Sequence, residues 1–194
     1  MTSTLVLSDG LIINDGDIFE ISTRDNQYFE SGYYHQYKYH QALVCSPKSN
    51  EVGGQQFKIK IIANNWVYLV SSKTNTFLTI YETLHPTING AKRTVSRIAM
   101  RKQDTAPKSN GNSRFKFESL GNGEVAILDY DGRHLMEYHD SKINHNAIIT
   151  SDVNGIDESK WAFKMTRVNL VDGAYQNNRY KPVFVSVNTS FQSF

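Results

Sequence analysis

Few residues of this chain have the type and spacing to do chemistry. Six histidines stand at positions 35, 40, 85, 134, 139 and 145, and His134, His139 and His145 are close enough in sequence to suggest a cation site. Their spacing fits no zinc motif, and a single cysteine supplies no thiolate pair, so no metal is expected. Asp129-Tyr130-Asp131-Gly132 opens as a calcium loop does but lacks the third acid and the Glu at the twelfth place, and it reads as a hairpin turn. Gly121-Asn122-Gly123-Glu124-Val125-Ala126 spells a dinucleotide fingerprint, yet it precedes a strand instead of opening a helix. No P-loop, H-E-x-x-H or G-x-S-x-G is present. Neither a cofactor nor a catalytic centre is expected, and the protein reads as a non-enzyme. Cys45 alternates inward with Leu43 and reads as a buried, inert thiol.

Binding is better provided for than catalysis. The chain carries 10 Phe, 11 Tyr and 2 Trp, and Tyr33-Tyr34-His35-Gln36-Tyr37-Lys38-Tyr39-His40 packs several rings into one stretch. Such rings either stack on sugars or protein partners, since they offer rigid area with a polar tip, or pack beneath a hairpin. Lys and Arg number 21 against 19 Asp and Glu, a net +2 without a basic run, so nucleic acid is not an expected partner. The single cysteine suits a reducing compartment, and Met1 to Gly10 has no basic, apolar signal pattern; the cytoplasm is the expected location. No apolar run approaches the ~20 residues of a membrane span, so membrane insertion is not expected.

The elements that would position these residues are strands. Ile, Val, Phe and Tyr come in short clusters separated by Gly, Asn, Asp and Ser, and no long window keeps a helical period. The pattern also repeats. Phe57-Lys58-Ile59-Lys60-Ile61, Phe115-Lys116-Phe117-Glu118-Ser119 and Trp161-Ala162-Phe163-Lys164-Met165 are alternating strands led by an aromatic. Phe57 to Leu69 and Phe115 to Ile127 both span 12 positions, while Ile21 to Phe29, Leu69 to Phe77 and Ile127 to Leu135 each span 8 across polar turns. A third strand follows in each unit, at Ala42–Cys45, Val95–Met100 and Ala147–Thr150. The second unit carries insertions between Tyr81 and Val95 and within Asp104–Gly111. Phe57, Phe115 and Trp161 are predicted to be buried, symmetry-related leaders, together with Ile21, Leu69 and Ile127.

Three units of four strands resemble the β-trefoil superfamily, in which six strands close a short barrel and six form hairpins capping one end. The resemblance implies an all-β fold with pseudo-threefold symmetry. It places an N-terminal extension at 1–16, the trefoil at 17–168 with units at about 17–62, 63–120 and 121–168, and a tail at 169–194. That tail holds Pro182-Val183-Phe184-Val185-Ser186-Val187, a candidate extra strand that either docks on the barrel or joins a neighbour's sheet in a homo-oligomer. Ricin-type lectin repeats are similar in ending each unit with Gln-x-Trp. The corresponding triplets are Gln55-Gln56-Phe57, Ser113-Arg114-Phe115 and Ser159-Lys160-Trp161, of which only the first keeps the Gln and only the last the Trp. The run from Ile148 to Trp161 also resembles the end of fascin-like and amaranthin-like modules.

The lectin resemblance implies a carbohydrate-binding protein whose partners are glycans or glycoproteins. In ricin-type relatives an Asp after the first strand, an aromatic further on and a nearby Asn line each pocket. The matching set in unit three is Asp129, Asp131, Tyr138, His139, Asn144 and Asn146, and a poorer set in unit one is Asp25, Asn26, Tyr37 and Gln41. Unit two has Lys73, Thr74 and Asn75 where the acid would stand. Two rival readings remain. A fascin-like actin or protein-interaction module would use Lys92, Arg93, Arg97, Arg101 and Lys102, and a protease inhibitor would use the loop from Gln103 to Gly111.

Overall fold

The computed structural model describes residues 3–37, 40–50, 53–88, 90–102 and 113–168. The tail from 169 onward, the loop at 103–112 and the side chains of Tyr33, Tyr34, Tyr37 and Tyr39 lie outside the described set. Among the described residues the regular structure is strand, apart from two short 3-10 turns.

An N-terminal hairpin pairs β1 (Thr4–Val6) with β2 (Ile12–Asn14). Unit one follows as β3 (Ile18–Thr23), β4 (Tyr28–Tyr37), β5 (His40–Ser46) and β6 (Gln56–Ile61). Unit two has β7 (Val67–Ser71), β8 (Phe77–Leu84), a small inserted hairpin of β9 (Thr87–Ile88) and β10 (Ala91–Lys92), then β11 (Val95–Arg101) and β12 (Lys116–Gly121). Unit three has β13 (Glu124–Leu128), β14 (His134–Asp140), β15 (His145–Ser151) and β16 (Phe163–Arg167).

First and fourth strands close a six-stranded ring in the order β3, β6, β7, β12, β13, β16 and back to β3. Closure leaves no edge for another chain to extend. Second and third strands form three hairpins, and their third strands meet pairwise: β5 with β11, β11 with β15, and β15 with β5. Ala42, Ala99 and Ala147 stand at those meetings, fully buried, where larger side chains would hold the strands apart.

Registers fix which residues are equivalent. Phe57 opposes Phe19, Phe115 opposes Val67, and Phe163 opposes Val125. All six are completely buried, as are Ile21, Leu69 and Ile127 two positions along the first strands. The third leader is therefore Phe163 and not Trp161. Trp161 is half-buried two residues before it, resting on a side cluster of Val95, Met136 and Ile149. The triplets ending in a leader are then Gln55-Gln56-Phe57, Ser113-Arg114-Phe115 and Trp161-Ala162-Phe163, so no unit ends in Gln-x-Trp. In unit two the core partner of Phe29 and Leu135 is Leu78, while Phe77 pairs with Val70 outside the main cluster; the hairpin offset there is one residue longer than predicted.

Phe29 joins the hairpin layer to the barrel through edge-on contacts to Phe57 and Phe163, with ring centroids 6.5 and 4.8 Å apart. The N-terminal hairpin adds Leu5, Leu7 and Ile13 to the same core. It is tied to the far end of β6 by Gly16 N donating to Ile59 O and Ile61 N donating to Asp15 Oδ1. Cys45 is buried within the core, and that burial holds its thiol well above the ordinary range.

Candidate functional site

Two turns lift aromatic rings out of the barrel wall at the seam between β7 and β12. Before β7 the chain turns through Asn64 and Asn65, both left-handed at φ 61° and 62°, a conformation Asn tolerates better than most residues. Ile62 N donates to Trp66 O at 2.7 Å and closes that turn, so Trp66 stays outside while Val67 enters the core. The second turn joins β13 to β14. Asp129 is fully buried; its Oδ1 accepts from the amides of Asp131 and Arg133, and its Oδ2 from Arg133 Nε, each at 2.9 Å. The residue between, Tyr130, is 52% exposed.

Trp66 and Tyr130 then lie with ring centroids 5.9 Å apart, tilted by 36°. Two cations from the start of the fourth strand lean on them. The Arg114 guanidinium is 4.7 Å from the Tyr130 centroid and 5.9 Å from that of Trp66, and Lys116 Nζ is 4.4 Å from Trp66. Asp131 stands beside Tyr130, its carboxylate 3.2 Å from Arg133. An open groove of about 350 Å³ continues from this platform between β1 and β12. Leu5, Val6, Leu7 and Ser8 form one wall; Asn65, Lys116 and Phe117 to Ser119 form the other. Val6 is exposed there despite being apolar.

The three units show how unusual this place is. Thr23, Ser71 and Asp129 turn their hairpins in the same way, each donating its amide to the carbonyl of Gln27, Thr76 or Arg133. The next residues, Arg24, Ser72 and Tyr130, are therefore equivalent. Counting one back from Phe19, Val67 and Val125 gives Ile18, Trp66 and Glu124 as a second equivalent set, and one beyond the leaders gives Lys58, Lys116 and Lys164 as a third. Where Trp66 meets Tyr130, the next copy has Glu124 bonded to Arg24 at 2.7 Å, and the last has Ile18 and Ser72. One location thus holds an aromatic platform, an ion pair and neither.

No family model matches the chain, and no curated protein does. Solved structures match it over most of its length. The designed threefold-symmetric protein ThreeFoil is 11% identical, with a TM-score of 0.56, covering 79% of this chain and 99% of that one. The cytolethal distending toxin from Actinobacillus actinomycetemcomitans is 11% identical at a TM-score of 0.59, covering 82% and 97%. The exo-β-1,3-galactanase 1,3Gal43A from Clostridium thermocellum is 14% identical at 0.58; the match covers 82% of this chain and 32% of that enzyme. The chain is a β-trefoil.

The trefoil frame shows where each expected site residue falls. Asp129 is consumed by its own hairpin, in the structural place of Thr23 and Ser71. Asp131 and Asp25 occupy the same place at two hairpin tips, with Lys73 between them in sequence order, as the repeat implied. His139 and Asn146 are cross-strand partners on β14 and β15, their side chains 3.3 Å apart, and Asn146 Nδ2 donates to Glu137 Oε1 at 2.8 Å. Tyr138 points away from them into the side cluster with Met136 and Ile149. Asn144 is the left-handed residue of the β14–β15 turn, as Asn26 is of the β3–β4 turn. His139 lies five positions along the strand from His134, roughly 16 Å, so the Asp131 end and the His139–Asn146 end of β14 do not share a pocket. Unit one is divided the same way, with Asp25 and Asn26 at one turn and Tyr37 and Gln41 at the opposite end of β4 and β5. Gln41 Oε1 is buried and has no hydrogen-bond partner among the described residues.

The basic stretch of the rival reading is not a free patch. Arg97 is buried and ion-paired to both Asp140 and Glu82, and Arg93 holds the carbonyls of Asp152 and Asn154. Lys92 is exposed on β10. The inhibitor loop, Gln103 to Gly111, lies outside the described residues. Trp66, Tyr130, Arg114 and Lys116 did not figure among the expected site residues. Tyr130, a large ring between two acids in a tight turn, was the signal that could have found them.

Proposed function

We propose that this trefoil is a carbohydrate-binding protein, a lectin that binds glycans or glycoproteins without turning them over, and that the Trp66–Tyr130 platform with its groove is the binding site. The observation that carries the reading is the aromatic pair of a half-buried Trp66 and an exposed Tyr130 at a place where the symmetry copies keep none. A pyranose presents an apolar face to such rings and hydroxyls at its edge; Asp131 beside Tyr130, and Asn65 and Ser119 along the groove, offer acceptors and donors. A fold neighbour supports this only in kind: 1,3Gal43A is an exo-β-1,3-galactanase, an enzyme that acts on carbohydrate. A lone buried thiol suits a cytoplasmic setting. Display of the protein on a glycan array tests the reading, with Tyr130→Ala and Trp66→Ala alongside. Binding to a defined set of glycans, weakened at least tenfold by either substitution, is expected. Failure of the native protein to bind any glycan, or binding indifferent to both substitutions, would overturn it.

A further inference from the structure

The closed ring protects its own strands, but the N-terminal hairpin stands outside it as a separate two-stranded sheet. Its two outer edges differ. Leu7 N donates to Leu11 O and Asp15 N to Ser3 O, so the alternation of the ladder turns the backbone groups of Thr4, Val6, Ile12 and Asn14 outward. On β2 that edge is occupied: Asn14 N donates to Asp17 Oδ2 at 2.8 Å, and Ile12 O accepts from Arg167 Nη2. On β1, among the described residues, no hydrogen bond reaches the amide or carbonyl of Thr4 or Val6. Edge strands are ordinarily shielded by charge, proline or a bulge, and Thr4-Leu5-Val6-Leu7 has none of these. Val6 and its cross-strand neighbour Ile12 add an exposed apolar pair on the solvent face.

This bare edge opens into the groove between β1 and β12. The buried Leu5, Leu7 and Phe117 form the apolar floor. On the opposite wall Lys116 and Glu118 flank Phe117 on the outward face of β12, and among the described residues neither has an ion-pair partner. We propose that the groove binds an extended peptide segment of a partner protein, added to β1 as a third strand. Its main chain pairs with Thr4 and Val6. Its side chains alternate, apolar ones toward the floor and an acid and a base, two positions apart, toward Lys116 and Glu118. The proposal goes beyond the carbohydrate reading and does not need it, because the edge recognises main chain and not sugar.

Fluorescence anisotropy with the full chain and labelled, sugar-free peptides tests this, using Ser-Val-Glu-Val-Lys-Val-Ser and the same peptide with Glu and Lys exchanged. One order is expected to bind at least about tenfold more tightly than the other. Lys116→Glu combined with Glu118→Lys should reverse that preference. Methylating the alternate peptide amides that face β1 should abolish binding, whereas methylating the other set should not. Val6→Pro removes an amide that the β1–β2 ladder does not use, so it should keep the native circular dichroism spectrum and lose the peptide, while Val6→Thr retains it. Should Val6→Pro unfold the hairpin, the methylated peptides decide the matter on the native protein. Failure of both peptides to bind, equal binding of the two orders, or binding that survives both methylated sets overturns the proposal. So does a native dimer that Val6→Pro splits in sedimentation without any peptide binding, which would give the edge to a second copy of this chain.

Discussion

Asp129 and Asp131 are two residues apart and do different work. Asp129 fills its oxygens with hairpin donors inside the protein, whereas the Asp131 side chain is 62% exposed and, among the described residues, pairs with Arg133 alone. Removing one partner of a buried, hydrogen-bonded charge costs ~3–5 kcal/mol, so Asp129→Ala should lower unfolding free energy by about that much in urea titrations. Asp131→Asn should change it by less than about 0.5 kcal/mol. The same distinction separates Phe163 from Trp161. Phe163→Ala empties a fully buried place and should cost ~3–5 kcal/mol, while Trp161→Ala, at a half-buried site, should cost clearly less in the same denaturation experiment. The sequence pattern favoured Trp161 because a large aromatic two residues early preserved the spacing to the third strand. Only the ladder to Val125 tells the two apart, and that pairing joins residues 38 positions apart in sequence, which no local pattern records. Asp131 was legible as a hairpin tip; Tyr130 was passed over because a turn explained its neighbours.

Hairpins were the most legible elements, since polar turns interrupt alternating apolar runs at regular intervals. What joins them was hidden. Arg97 on β11 reaches Asp140 on β14 and Glu82 on β8, pinning two hairpins together through a nearly buried guanidinium. Arg97 hold on Glu82 also keeps that carboxyl below its ordinary range. Arg97→Met should destabilise by ~3–5 kcal/mol by taking the guanidinium away from the buried Asp140 carboxylate, and Arg97→Met with Asp140→Leu should recover much of the loss in a double-mutant cycle. A second link crosses β4 and β15, where His35 stacks on His145 with centroids 4.3 Å apart. Burial lowers the His145 pKa, and the neighbouring His35 charge lowers it further; burial also lowers that of His134. An unfolded histidine titrates near about 6.5, so between the folded and unfolded values the unfolded chain holds more protons. The stabilisation is complete above about 6.5 and is lost as pH falls below it. Urea midpoints should drop between pH 7 and pH 5, and His145→Gln should flatten that slope.

At the scale of the whole molecule, threefold symmetry is a property of the core and is broken at the surface. Phe57, Phe115 and Phe163 face the same demand for bulk, so repetition survives there; outward positions face only water and diverge into a ring pair, an ion pair or neither. Sequence repetition therefore revealed the fold and obscured the site, whose defining residues are those that do not repeat. The ring itself is uneven. Junctions between units hold five residue pairs each, whereas first and fourth strands within a unit meet over three pairs in unit one, two in unit three and the single Val67–Phe115 bridge in unit two. Opening of that joint breaks the fewest backbone bonds, and local opening governs how fast amide protons exchange with solvent. In deuterium exchange the amides of Val67 and Phe115, bonded to each other at 2.9 and 3.0 Å, should exchange sooner than those of Phe19 and Phe57. Trp66 stands on one side of that joint and Arg114 and Lys116 on the other. A ligand held by all three would bridge the gap, and its arrival would register as slowed exchange at two amides it never touches.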